Sequence, residues 1–237
     1  EVRETAKQVQ ALGRRALALR VDISRQDSVE TMVRGTVAEF GRIDILVNNA
    51  GIQGPVGPLV ENNPQHWVNT INVNLIGVYF CIRAVLPSMM ARRQGNIINI
   101  AGGGSTSSRP YLSAYAASKT AVVRLTEVLA DELKDYNIQV NAISPGSQKT
   151  RMVEEIIAAG TKAGPKEMAD MKKLQESGGA PQEKFTSLAV FLASDDSGGL
   201  TGRLISAVWD DWKGLGEKWR EVVPTDLFTL RRVVPKE

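Results

Sequence analysis

The sequence predicts an α/β fold in which helices cover a parallel sheet. Three observations carry that expectation. Short apolar runs alternate with amphipathic stretches along the chain, the order that strand–helix–strand units require. One run, residues 43–48, is apolar almost without interruption, as a strand covered on both faces should be. The 237 residues are 43% hydrophobic and 23% charged, a globular balance that excludes disordered, collagen-like and disulfide-dense chains. No repeat, low-complexity tract or linker divides them, so a single domain is expected over residues 1–237.

The elements follow in order. Val2, Ala6, Val9 and Leu12 recur at helical spacing and Gly13 supplies a stop. Residues 16–21 read as a strand leading into Asp22. Residues 27–40 are amphipathic, with Val29, Met32, Val33, Val37 and Phe40 on one side, and residues 43–48 form the next strand. After a loop carrying Gly54, Pro55, Gly57 and Pro58, residues 64–92 read as one long helix and 96–101 as a strand. Residues 113–135 are helical, and 138–144 form a strand broken by Pro145-Gly146. Short helices at 152–159 and 166–176 are separated by Gly160, Gly164 and Pro165. A helix at 183–193 and a last strand at 204–208 precede a tail from Asp210, in which Trp212 and Trp219 are expected as packing or interface anchors.

Composition excludes several function classes. One cysteine, Cys81, cannot form an internal disulfide; it sits mid-helix among Phe80, Ile82 and Val85 as a buried small hydrophobe, and a reducing cytoplasm is the expected compartment. The single histidine, His66, rules out a multi-histidine zinc site, no G-x-S-x-G elbow accompanies it, and it is expected at a helix start. A net charge of +3, spread among neighbouring acids, argues against nucleic acid. The longest apolar run, within residues 75–86, is interrupted by Arg83 and falls short of the roughly 20 residues of a membrane span, so no membrane partner is expected.

In open parallel sheets, ligands bind beyond the carboxyl ends of the strands. Asp22, Asn48-Asn49-Ala50-Gly51, Ala101-Gly102-Gly103-Gly104-Ser105 and Ser144-Pro145-Gly146 each follow a strand, so small and polar residues gather along one edge. The sharpest feature is Tyr115-Ala116-Ala117-Ser118-Lys119. Residues four apart share a helix face, and an ammonium beside a phenol lowers its pKa from about 10 toward neutrality. Taken alone, the same spacing also describes a surface pair with the ring packed on the lysine stem.

Together these residues, with Asn74 in Asn72-Val73-Asn74-Leu75 and Thr150, resemble the short-chain dehydrogenase/reductase family, from the first helix to Leu204. The resemblance implies a Rossmann-like, doubly wound parallel sheet and an NAD(P)-dependent interconversion of an alcohol and a carbonyl. It implies that Asp22 bonds the adenine amine, that Asn48, Ala50 and Gly51 line the cofactor and hold the central sheet, and that Asn74 positions a water or the lysine in a proton relay. Tyr115 would be the acid/base, and Lys119 would lower its pKa and bind the nicotinamide ribose. Pro145, Gly146 and Thr150 would sit near the nicotinamide. A small-molecule alcohol or ketone is the expected substrate, under a mobile lid of residues 151–180, in a homo-oligomer (dimer or tetramer).

The sequence departs from the family in three places. The glycine-rich turn T-G-x-x-x-G-x-G is absent, and the match starts inside the family's second helix, as in a chain lacking the first β-α-β unit. That leaves residues 16–21 without a partner strand and residues 43–48 as an exposed apolar edge, and it hides the choice between NAD and NADP. The family's serine falls at position 102, where this chain has glycine. Ser105 or Thr106 could supply the hydroxyl, with Ser105 preferred, or backbone N–H groups of residues 102–104 could polarise the substrate oxygen, or activity could be weak. The glycine pair usual after the last strand is replaced by Ala207-Val208-Trp209-Asp210-Asp211-Trp212, which leaves assembly open. The alternative function is a catalytically silent binding or scaffold protein on the same fold.

Overall fold

The computed structural model describes residues 2–233, so Glu1 and the last four residues of the tail lie outside them. Helix α1 (Val2–Ala11) buries none of its side chains. The strand expected over residues 16–21 does not form: the backbone there belongs to no ladder. A strand needs a neighbour to satisfy its N–H and C=O groups, and none lies beside this segment. Just before it, Arg15 reaches α2 (Gln26–Phe40), pairing with Glu39 at 2.5 Å and stacking 4.9 Å over the Phe40 ring.

The sheet begins at β1 (Ile45–Asn48). Helix α3 (Pro64–Ile71) starts at Asn63, whose side chain accepts from the N–H groups of Gln65 and His66, so His66 lies in the first turn as expected. The helix runs without a break through a π-helical turn, Asn72–Ile76, into α4 (Gly77–Arg92). The whole stretch, Pro64–Arg92, is long and apolar enough to cross a bilayer, a length the apolar run within residues 75–86 did not reveal. Its apolar side faces the core: Val78, Ile82, Val85 and Met89 belong to one cluster with Ile97 and Val140. Cys81 is buried in this helix, and burial pushes its thiol up to about 11.

The chain continues through β2 (Gly95–Ile100), α5 (Ser113–Leu133), β3 (Ile138–Ser144), α6 (Arg151–Ala158), α7 (Pro165–Ser177), α8 (Gln182–Ala193) and β4 (Leu204–Ser206). The four strands are parallel in the order β1-β2-β3-β4. Alternation decides the two faces. Ile97 and Val140 pack with residues of α4 and α5, whereas Ile98 and Ile143 pack with Leu188 and Leu192 of α8 and Ile205. Both faces are therefore covered at β2, which is buried along its whole length.

The tail covers the outer edge of β4. Leu204 N donates to Phe228 O at 2.8 Å, and buried Arg203 donates to the carbonyls of Thr201, Val223, Thr225 and Leu227. Trp212 and Trp219 pack half-buried against the α8 cluster, the anchoring role expected of them. Among the described residues no chain pairs with the outer edge of β1, and its Ile45 and Val47 are 45% and 46% exposed. Residues 151–180 gather round their own small core of Leu112, Val153, Ile156, Met171 and Leu174. Ile157 and Met168 pack against that cluster.

Candidate active site

The parallel strands end together on one side, and buried amides tie two of those ends to α5. Asn48 Nδ2 donates to Asn99 Oδ1 at 2.9 Å, and Asn99 Nδ2 donates to Thr126 Oγ1 at 2.9 Å, joining β1, β2 and α5. A buried amide is tolerable when paired, so this chain of bonds fixes α5 over the sheet. Asn74 does the same for the turn after β1. Fully buried in the π-helical turn, it accepts from Ile52 N (2.8 Å) and donates to Ile52 O (2.9 Å) and Ser118 Oγ (3.1 Å). A Cβ on Gly51 would lie 3.2 Å from Asn74 Oδ1 and 3.6 Å from Lys119 Nζ, so Gly51, Asn74 and Lys119 share one corner. Gln53, 2% exposed, follows closely, and its Nε2 has no partner among the described residues.

Tyr115 and Lys119 lie in the first two turns of α5, 8% and 3% exposed. Lys119 Nζ donates to Ile100 O at 2.7 Å and sits 5.9 Å from the centre of the Tyr115 ring. Burial pulls the ammonium down to about 8. Burial also raises the Tyr115 phenol above its ordinary value, opposed by the Arg109 guanidinium 5.8 Å from the ring centre. The sequence led us to expect a phenol lowered by Lys119. In this structure burial dominates and the opposing cation is Arg109.

The corner leaves hydrogen-bond donors free for a bound cofactor. Lys119 carries three N–H donors and gives Ile100 O one bond, and Gly51 brings no side chain against the buried Nζ. Ala50 beside it is exposed.

A family model described as short chain dehydrogenase matches residues 1–160. The chain belongs to the short-chain dehydrogenase family. An uncharacterized NAD-dependent oxidoreductase of Mycobacterium tuberculosis is 37% identical, over 85% of this chain and 74% of its own length. The (2S)-[(R)-hydroxy(phenyl)methyl]succinyl-CoA dehydrogenase subunit of Thauera aromatica is 38% identical, over 86% of this chain and 79% of its own. Among solved structures, gluconate 5-dehydrogenase from Burkholderia cenocepacia in complex with NADP and tartrate aligns with TM-score 0.75 at 30% identity, covering 90% of this chain and 80% of that one. NAD+-bound xylitol dehydrogenase aligns with TM-score 0.78 at 28% identity, over 86% and 83%. The Rossmann-like architecture is therefore that of the short-chain dehydrogenases.

Against that family, the glycine at 102 has a structural counterpart. A Cβ on Gly102 would lie 2.6 Å from Tyr115 Oη, so the phenol occupies the place a side chain would take. Ser105, preferred from sequence as the substitute hydroxyl, does not reach toward Tyr115. Its Oγ donates to Gly102 O at 2.7 Å and accepts from Gly102 N at 3.3 Å, closing the turn on itself. The reason is local: the residue three positions on in a tight turn meets its own backbone first.

The remaining expected residues are dispersed. Asp22 is exposed in a turn, where Oδ1 accepts from Ser24 N (3.0 Å) and Ser24 Oγ (2.6 Å); these bonds hold its carboxyl below the usual range. Neighbouring Ile23 packs where a Cβ on Gly77 would sit, which seats the Asp22 turn on the start of α4. Pro145 and Gly146 are half-buried past β3, and Gly146 takes φ +79° against Val208. Thr150 is exposed at the N-terminus of α6. The sequence reading missed Arg109 and Glu167, whose ion pair joins the loop before α5 to α7. They stand 58 residues apart, and no local pattern announces such a pair.

Proposed function

We propose that the chain is an NAD- or NADP-dependent oxidoreductase interconverting an alcohol and a carbonyl of a small molecule, with Tyr115 as general acid/base. The observation that carries this reading is the placement of a buried phenol and a buried ammonium on one helix face, at the carboxyl end of the central strand. Hydride exchange with the substrate carbon is the chemistry a bound nicotinamide supplies. Tyr115 Oη gives its proton to the carbonyl oxygen in reduction and takes it back in oxidation. Lys119 holds the nicotinamide ribose with the N–H donors left after its bond to Ile100 O. Asn74 fixes the Gly51–Ile52 turn and Ser118, so the corner keeps its shape when ligand enters. Asn48, Ala50, Gly51, Pro145, Gly146 and Thr150 line the cofactor, with Asp22 toward the adenine. Residues 151–180 act as the lid, and a homo-oligomer in the cytoplasm is the working assembly.

The test is NAD(P)H oxidation against a panel of ketones and acyl-thioester carbonyls. Tyr115→Phe should lower turnover by about two to four orders of magnitude with binding of NAD(P)H retained. The contact between Tyr115 Oη and the Gly102 position favours a second reading, a silent binding or scaffold protein on this fold. Absence of turnover on every substrate, with the fold intact, would decide for it.

A further inference from the structure

Arg109 stands at the site without a task in the scheme above. Its guanidinium carbon lies 5.8 Å from the Tyr115 ring centre. On its far side Nε approaches Glu167 Oε2 at 3.3 Å and Nη2 bonds Glu167 Oε1, a two-pronged pair whose side chains are 20% and 11% exposed. Nη1 also reaches Gly103 O at 3.5 Å. The glycines make the berth: a Cβ would lie 3.2 Å from Nη1 at Gly103 and 3.4 Å from Cδ at Gly104. The same glycine run that removes the family's serine thus admits a guanidinium beside the phenol.

We infer that Arg109 is a positioning residue for Tyr115, a cation set beside the phenol where the family's hydroxyl is missing, and that Glu167 of α7 sets how much of its charge the phenol feels. The inference rests on Tyr115 as the acid/base. The charged groups facing Tyr115 are Lys119 from its own helix, Arg109 from the loop, and Glu167 behind Arg109 from α7; Lys166, next to Glu167, pairs with Asp170 at 2.9 Å. Lys119 is fixed on Ile100 O, so the charge left to adjust is Arg109, and the Glu167 carboxylate paired with it is placed to do so. A purely structural latch would use the same bonds, but it predicts no opposite effects from removing its two halves.

The experiment is an ultraviolet titration of tyrosine ionisation, with the Tyr115→Phe spectrum subtracted so that only this phenol is read. Arg109→Gln should raise its midpoint by about one pH unit, and Glu167→Gln should lower it, since the guanidinium then acts unopposed. Arg109→Lys should stay near the parent. In alcohol oxidation the acid limb of kcat should move the same way. Shifts in one common direction, or none, overturn the inference; should Arg109→Gln fail to fold, the downward shift in Glu167→Gln decides alone. Turnover retained by Tyr115→Phe would instead defeat the acid/base reading, while the titration still judges Arg109.

Discussion

The two outer strands of the sheet meet solvent in different ways. Along β4 the tail returns, Leu204 N finds Phe228 O, and Arg203 collects carbonyls from Thr201 and three tail residues. Among the described residues nothing comparable happens along β1, and Ile45 and Val47 face outward about half exposed. An edge strand presents unpaired backbone groups and is a template for association unless it is covered. One buried guanidinium and a short stretch of irregular chain suffice for that cover. The functional corner leans on the open side: Asn48 ends β1 and bonds Asn99, and the Gly51–Ile52 turn that follows β1 is held by Asn74.

The contrast is most severely tested at Arg203. Arg203→Ala removes the donor for several partly buried carbonyls and should cost about 1.5–3 kcal/mol, read as a lower midpoint in urea unfolding. A loss under about 1 kcal/mol would mean that the tail holds itself. A smaller signal belongs to the centre rather than to either edge. The Lys119 ammonium is pulled from 10.5 to about 8, so at neutral pH the folded state carries a charge that burial disfavours. Above pH 8 the unfolded chain binds more protons at this site than the folded one, and stability rises with pH by up to about 1.4 kcal/mol per unit. Cys81 works oppositely: its folded value is raised from 9 to about 11, and its contribution is lost as pH climbs past 9. The clean window is therefore pH 8 to 9, where the rise should be present in the parent and absent in Lys119→Met. The smallest effect is expected at the open edge. Val47→Lys should change stability by no more than about 0.5 kcal/mol while reducing self-association in concentration-dependent light scattering.

Much of the fold was readable because its signals are local. The continuous apolar run of β1 and the helical period of residues 64–92 are properties of neighbouring residues. The strand expected at residues 16–21 shows the limit of that reading. Its composition is that of a strand, but a strand exists only with a partner, and pairing is not written in the segment itself. The site divides the same way. Tyr115 and Lys119 were legible because one helix turn sets their spacing, and Asn48 because it ends a strand. Ser105 was expected at the phenol because it is near in sequence, whereas in this structure its own turn takes the hydroxyl. Arg109 and Glu167 meet only through the packing of α7 on the loop before α5.

The crowding at Gly102 also constrains how this chain could change. With the phenol oxygen 2.6 Å from where a β-carbon would stand, restoring serine there by a single codon change would collide with Tyr115. The phenol would have to move aside first, since every close contact is with the far end of its side chain. The two positions are thus coupled: whatever side chain stands at 102 decides where the Tyr115 hydroxyl can rest.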